Sequence, residues 1–164
     1  MTIRIFITGG TFDKEYNMLN GRLYFKDTHM HELLDNGRNQ VPVTISKLMM
    51  VDSLEITQQQ LDVIVQECKQ CEEEHIVITH GTDTMDQTAK ALAQRITNKT
   101  IVLTGAMIPI RFGSSDGLFN IGSALAFAQT LSHGVFIVMN GRYFNWNNVR
   151  KNKQTGIFEE LKDV

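Results

Sequence analysis

Apolar positions along the chain fall into two patterns: short runs rich in β-branched residues, and longer stretches in which apolar residues recur every three or four positions. Ile3 to Thr8 is almost continuous in β-branched and aromatic character, the mark of a strand buried on both faces. Similar runs occupy 43–51, 76–79, 99–104 and 135–139. Between them the periodicity predicts helices from Thr57 to about Cys71, from Asp83 to Arg95 and from Leu118 to Leu131, with a short helical turn from His29 to Leu34. Asn20-Gly21, between Tyr16 and Tyr24, is a hairpin-turn signal and predicts a β-hairpin hanging as a flap over the loop after the first strand. Strands alternating with helices imply right-handed crossovers. The expected fold is therefore α/β: a three-layer, Rossmann-like or flavodoxin-like domain with a parallel sheet of about five strands. The 164 residues suffice for one domain with a real core but not for two, so 1–164 is read as a single domain.

In such a sheet the carboxyl ends of the parallel strands share one edge, and that edge is where ligands bind. Gly9-Gly10 stops the first strand, lets the backbone approach a ligand closely and delivers the Thr11 hydroxyl just past the strand end. Its spacing is neither a P-loop nor a GxGxxG fingerprint. Asp52-Ser53 ends the second run, Gly81-Thr82-Asp83 the third and Gly105-Ala106 the fourth, so Gly10, Asp52, Ser53, Gly81 and Ala106 are candidates for substrate contact. The stretch HIVITHGTDTMDQTA at 75–89 reads as strand, tight turn and helix. Its polar cluster has a second reading: Thr84 with Gln87 fits a capping box, and Thr82 or Asp83 fits an N-cap, so helix initiation explains it as well as a ligand site does.

A formal net charge of −2, without blocks of either sign, argues against a nucleic-acid surface. No stretch approaches a membrane span, and Met1 leads straight into a strand-like run, which makes the cytoplasm the default location. Cys68 and Cys71 form a C-x-x-C late in a predicted helix, where the dipole has the wrong sign for a redox pair, and no second pair completes a zinc site. His29-x-His31 lacks a third ligand and reads as surface histidine. No metal and no cofactor are expected.

Two strand-end threonines, a carboxylate and a lysine point to nucleophilic catalysis. A threonine hydroxyl is protonated at neutral pH and needs a base before it attacks a carbonyl carbon. Lys151 and Lys153, in the run NNVRKNK, are the candidates, and a solvated basic surface is the alternative.

The segments ITGGTF (7–12), ITHGTDTMDQTA (78–89) and VLTGAMIPIRFGSSDGLFN (102–120), in this order and at these separations, resemble the amino-terminal domain of bacterial L-asparaginases and glutaminase-asparaginases. VMNGRYFNWNNVRK (138–151) is similar to the family's next segment, so the likeness spans nearly the whole chain. It implies that Thr11 is the acylated nucleophile and that Thr82, Asp83 and Lys151 form a second hydroxyl, carboxylate and amine group. It also implies that Ser53 holds the substrate α-carboxylate, that Tyr16 or Tyr24 is the flap tyrosine, and that Gly10 and Thr82 supply N–H groups or hydroxyls near the oxyanion. Two features depart from the family. Leu54 stands where many members carry a polar side chain, and the smaller carboxyl-terminal domain, which sends an acidic residue into a neighbouring subunit's site, has no counterpart here.

The activity expected is hydrolysis of L-asparagine, or a related small amide, to L-aspartate and ammonia through an acyl-threonine. The alternative is a catalytically weak aspartate- or asparagine-binding or sensory domain. A site on an open edge gains shelter from a second copy, so a homodimer or homotetramer is expected.

Overall fold

The computed structural model describes residues 1–161. Five strands are parallel: β1 (Ile3–Gly9), β4 (Val43–Val51), β5 (His75–Thr79), β6 (Thr100–Thr104) and β7 (Gly134–Met139). The hairpin is β2 (Lys14–Asn17) with β3 (Arg22–Phe25), and the sheet order is β4-β1-β5-β6-β7-β8. The last of these, β8 (Arg142–Asn145), runs antiparallel to β7 and makes the sheet mixed. The parallel reading of five strands therefore gains a sixth. Asn140-Gly141, with φ of 52° and 82°, is the two-residue turn that reverses the chain, so the residues read as a strand stop are a hairpin. β9 (Arg150–Lys151) and β10 (Phe158–Glu159) form a further small antiparallel pair that the apolar pattern, two residues long on each side, does not announce.

Side-chain alternation sorts the core onto two faces. Ile3, Ile5, Ile7, Val77, Val102 and Val138 point to one face, where they meet Met30 and Leu33 of α1 (Met30–Asn36) and Ile121, Ala124 and Ala128 of α4 (Gly117–Thr130). Phe6, Ile76, Ile78, Ile101, Leu103 and Ile137 point to the other, against Ile64 and Val65 of α2 (Gln58–Gln70) and Met85, Ala89 and Leu92 of α3 (Met85–Ala93). Both faces are covered, which is why the strands read as continuous apolar runs. A capping box fixes the start of α2: the Thr57 hydroxyl accepts from the Gln60 amide at 3.2 Å, and the Gln60 side chain accepts from the Thr57 amide at 2.9 Å.

Threonine hydroxyls stitch the carboxyl edge. Thr8 Oγ1 donates to the Thr79 carbonyl at 2.7 Å, and Thr104 Oγ1 to the Val138 carbonyl at 2.7 Å. Each bond ties a strand end to its neighbour and holds the loops beyond it in fixed relation. Among the described residues no helix is long and apolar enough to cross a membrane.

Candidate active site

β1 lies between β4 and β5, so the order of parallel strands reverses there and the loops after these three strands meet at one point. Gly10 has φ 75° and ψ −177°, a conformation that only glycine adopts without strain. A Cβ on it would sit 2.5 Å from the Gly81 nitrogen, and one on Gly81 would sit 2.5 Å from Ser53 Oγ. The three loops are therefore stacked backbone on backbone, and Thr11, which opens a 3-10 turn over Thr11–Asp13, follows directly on the Gly10 that packs against Gly81. Ser53 is buried against Gly81, and its carbonyl accepts a hydrogen bond from Thr84 Oγ1 at 3.0 Å.

That bond decides between the two readings of the 82–87 cluster. Thr84 is the N-cap of α3, but its hydroxyl caps nothing and the helix begins only at Met85. The capping box is absent, and Thr82 and Asp83 are left in the turn, free of helix initiation. Lys151 reaches them from the far end of the chain: its Nζ is 2.8 Å from Thr82 Oγ1 and 2.8 Å from Asp83 Oδ1, across 69 and 68 residues of sequence. Thr82 is buried, and the Lys151 side chain is 18% exposed against 51% for Asp83, so the amine sits at the wall of the site while the carboxylate opens to water.

The small β9–β10 pair delivers this lysine. Val149 and Phe158 are buried in the core on either side of it, Phe158 pairs with Lys151 in register, and Arg150 bonds Glu159 at 2.8 Å. Lys153 lies outside the pair, in the exposed turn that follows. The residues by themselves offer both Lys151 and Lys153, and the family resemblance singles out Lys151; the structural difference between the two is the pairing of Lys151 with the buried Phe158.

His80, one residue before the site, was not singled out by the sequence. It is fully buried, with Nδ1 2.7 Å from the Gly81 carbonyl and Nε2 2.9 Å from Thr88 Oγ1. A carbonyl only accepts, so Nδ1 carries the proton and Nε2 accepts from the threonine. Burial pushes its pKa below the ordinary histidine value and keeps it neutral. Asn120 was missed as well: its amide nitrogen donates to the Gly105 carbonyl at 2.8 Å and its oxygen accepts from the Asn140 amide at 2.9 Å, pinning the loop that carries the buried Ala106.

The surface reading of His29 and the free Gly10 amide are corrected. The Gly10 amide donates to the Val51 carbonyl at 2.9 Å and has no proton left for an oxyanion; the stacking that brings Thr11 into place requires that bond. Asp52 is engaged in the scaffold: its carboxylate accepts from the Leu54 amide and from Lys14 Nζ at the base of the hairpin, and the Lys14 bond holds its pKa below the usual carboxylate range. His29 is buried beneath the hairpin, with Nε2 3.1 Å from Glu15 Oε1, because its amide caps onto the buried Asp13 carboxylate at 2.8 Å. The two flap tyrosines lie on opposite faces of the hairpin, since Tyr24 pairs with Glu15 and Tyr16 with Leu23. Tyr24 donates to Glu15 Oε2 at 3.3 Å, whereas Tyr16 is 54% exposed.

The family model for the asparaginase N-terminal domain matches residues 2–159. A glutaminase-asparaginase of Acinetobacter glutaminasificans is 44% identical over 80 residues, covering 46% of this chain and 24% of that protein. L-asparaginase 1 of Escherichia coli K12 is 30% identical over 162 residues, covering 92% of this chain and 47% of that one. Among solved structures, the thermostable L-asparaginase from Thermococcus kodakarensis superposes with a TM-score of 0.86 at 26% identity, over 98% of this chain and 51% of its own. The chain thus spans about half the length, or less, of the relatives it matches. A family match over nearly all of the sequence, together with a superposition of the whole sheet and its helices, establishes that this chain belongs to the asparaginase N-terminal family.

Proposed function

We propose that the chain is an amidohydrolase that cleaves L-asparagine, or a closely related small amide, to L-aspartate and ammonia with Thr11 as nucleophile. The observation that carries this reading is the pair of 2.8 Å bonds from Lys151 Nζ to Thr82 Oγ1 and Asp83 Oδ1, beside a Thr11 loop stacked on Gly81. Thr11 Oγ attacks the amide carbon and gives up its proton, the carbonyl oxygen becomes an oxyanion, and the C–N bond breaks as the nitrogen leaves protonated as ammonia. Water then adds to the acyl-threonine and restores the hydroxyl, so the net reaction consumes one water and releases one acid and one ammonia.

Lys151 donates protons to both partners in the resting arrangement. It serves as base only after passing one on, and Asp83, open to solvent, is the acceptor through which that proton leaves. Thr82 orients the attacking water. Ser53 faces the substrate carboxylate, and Gly81 and Ala106 line the backbone wall. Of the two tyrosines Tyr24 is the one we assign to the flap, because a hydroxyl held by Glu15 is already oriented. Residues 1–164 act as one amino-terminal-type unit in this reading, in the cytoplasm, with a second copy sheltering the open edge.

Ammonia release measured across asparagine, glutamine and small aliphatic amides tests the proposal. The expected result is turnover on asparagine that Thr11→Ala abolishes while substrate still binds. A folded protein inert on every amide, yet binding aspartate by calorimetry, replaces the hydrolase with the binding-domain alternative.

A further inference from the structure

Lys99 directly precedes β6 at the amino edge of the sheet, opposite the candidate site, and it is only 6% exposed. Its Nζ donates to the Glu73 carbonyl at 3.0 Å and to the Cys71 carbonyl, and lies 3.4 Å from Cys71 Sγ. Among the described residues no carboxylate comes within ion-pair distance of it; the nearest in sequence to its partners, Glu73, is engaged by Arg4 at 3.0 Å. Two carbonyls accept from this ammonium in place of a carboxylate, and the remaining group within its reach is the half-buried Cys71 sulfur. Reactive thiolates are found beside lysine ammonium groups. Cys71 is the C-cap residue of α2, and its Sγ lies 3.6 Å from the Cys68 carbonyl and 3.7 Å from the Glu73 carbonyl as well as beside the Lys99 ammonium. Cys68, by contrast, is wholly buried in the core, and burial pushes its thiol pKa up.

We propose that Cys71 and Lys99 form a peroxide-responsive modification site that closes reversibly into a sulfur–nitrogen crosslink. The Cys71 thiolate attacks one oxygen of hydrogen peroxide, the O–O bond breaks, and the released hydroxide takes up a proton to become water. Sulfur is oxidised by two electrons to a sulfenic acid, and the peroxide is reduced. The Lys99 ammonium releases one proton to solvent. The amine then attacks sulfur, the S–N bond forms as the S–O bond breaks, and hydroxide leaves with a nitrogen proton as water. Thiol, ammonium and peroxide thus become a sulfenamide, two waters and one proton. The bridge ties the end of α2 to the start of β6 and leaves the catalytic edge untouched.

The test is one equivalent of hydrogen peroxide on the intact reduced protein, followed by intact mass and a tryptic map before and after dithiothreitol. The expected product is lighter by two hydrogens, joins the Cys71 peptide to a peptide in which Lys99 is not cleaved, and reverts on reduction. Cys71, and not the wholly buried Cys68, should be the sulfur that peroxide oxidises. Cys68→Ala should still form the bridge, and Lys99→Arg, which keeps the charge but cannot condense, should accumulate a sulfenic acid that dimedone captures. A Cys68–Cys71 disulfide in the wild-type map overturns the proposal, as does a Cys71 that peroxide leaves unoxidised or oxidises without joining it to Lys99; all are read on the unmutated protein, so poor folding of a variant does not shield it.

Discussion

Replacing Lys151 by methionine removes the amine between Thr82 and Asp83 and keeps most of the side chain's length. Two effects of different size follow. Asp83 is 51% exposed, so the ion pair is largely screened and contributes about 0–1 kcal/mol to stability. The bond to Thr82 Oγ1 adds about 1 kcal/mol, and the Thr82 hydroxyl keeps its contact with Met107 Sδ at 3.6 Å. The summed loss of about 1–2 kcal/mol corresponds to a melting temperature lower by roughly 2–8 °C for a chain of this size. Loss of a positioned acid–base group costs about a hundredfold to ten-thousandfold in rate, or roughly 3–5 kcal/mol of transition-state stabilisation. Lys151→Met should therefore be folded at 25 °C and almost inactive. Ammonia release at saturating asparagine, run beside thermal denaturation of the same preparation, separates the two. A folded variant within tenfold of wild-type turnover refutes the assigned role of the amine, and so does an activity loss that only tracks the unfolded fraction.

Gly10→Ala puts a Cβ 2.5 Å from the Gly81 nitrogen at a φ of 75°, and the combined strain and overpacking of about 2–5 kcal/mol should lower melting temperature and turnover together; an unchanged melting curve refutes the stacked-loop geometry. Asn120→Leu leaves the buried Gly105 carbonyl without its partner, a loss of about 1–3 kcal/mol readable by denaturant titration, and a neutral result removes Asn120 from the support of the Ala106 loop. Burial holds the folded His80 pKa below the unfolded value of about 6.5, so the unfolded state takes up the proton first as pH falls. The His80 contribution is intact above that value and declines below it by up to about 1.4 kcal/mol per pH unit. His80→Gln, which keeps a donor and an acceptor, should flatten the wild-type stability curve between pH 6.5 and pH 5, and parallel curves would count against a neutral His80.

What the linear chain determined is local. The β-branched runs set the five parallel strands: the inner four, buried on both faces, leave an unbroken apolar signature, and the edge strand Val43–Val51, although broken by Ser46 and Lys47, is recovered to the residue. Gly9-Gly10-Thr11 and HGTDT marked the strand-end loops, since a close backbone approach admits only glycine and the α/β topology sends every such loop to one edge. The tertiary structure alone decided which hydroxyls and amines meet. Thr84 turned to the Ser53 carbonyl instead of capping its own helix, and the Gly10 amide went to Val51. The burial of Val149 and Phe158 carries Lys151, the lysine the family resemblance singles out, to Thr82 and Asp83, and Lys99 found Cys71 across the amino edge. Each of those choices is a contact between residues remote in sequence. It is set by packing and by the need to satisfy buried polar groups, and neither leaves a periodic trace along the chain.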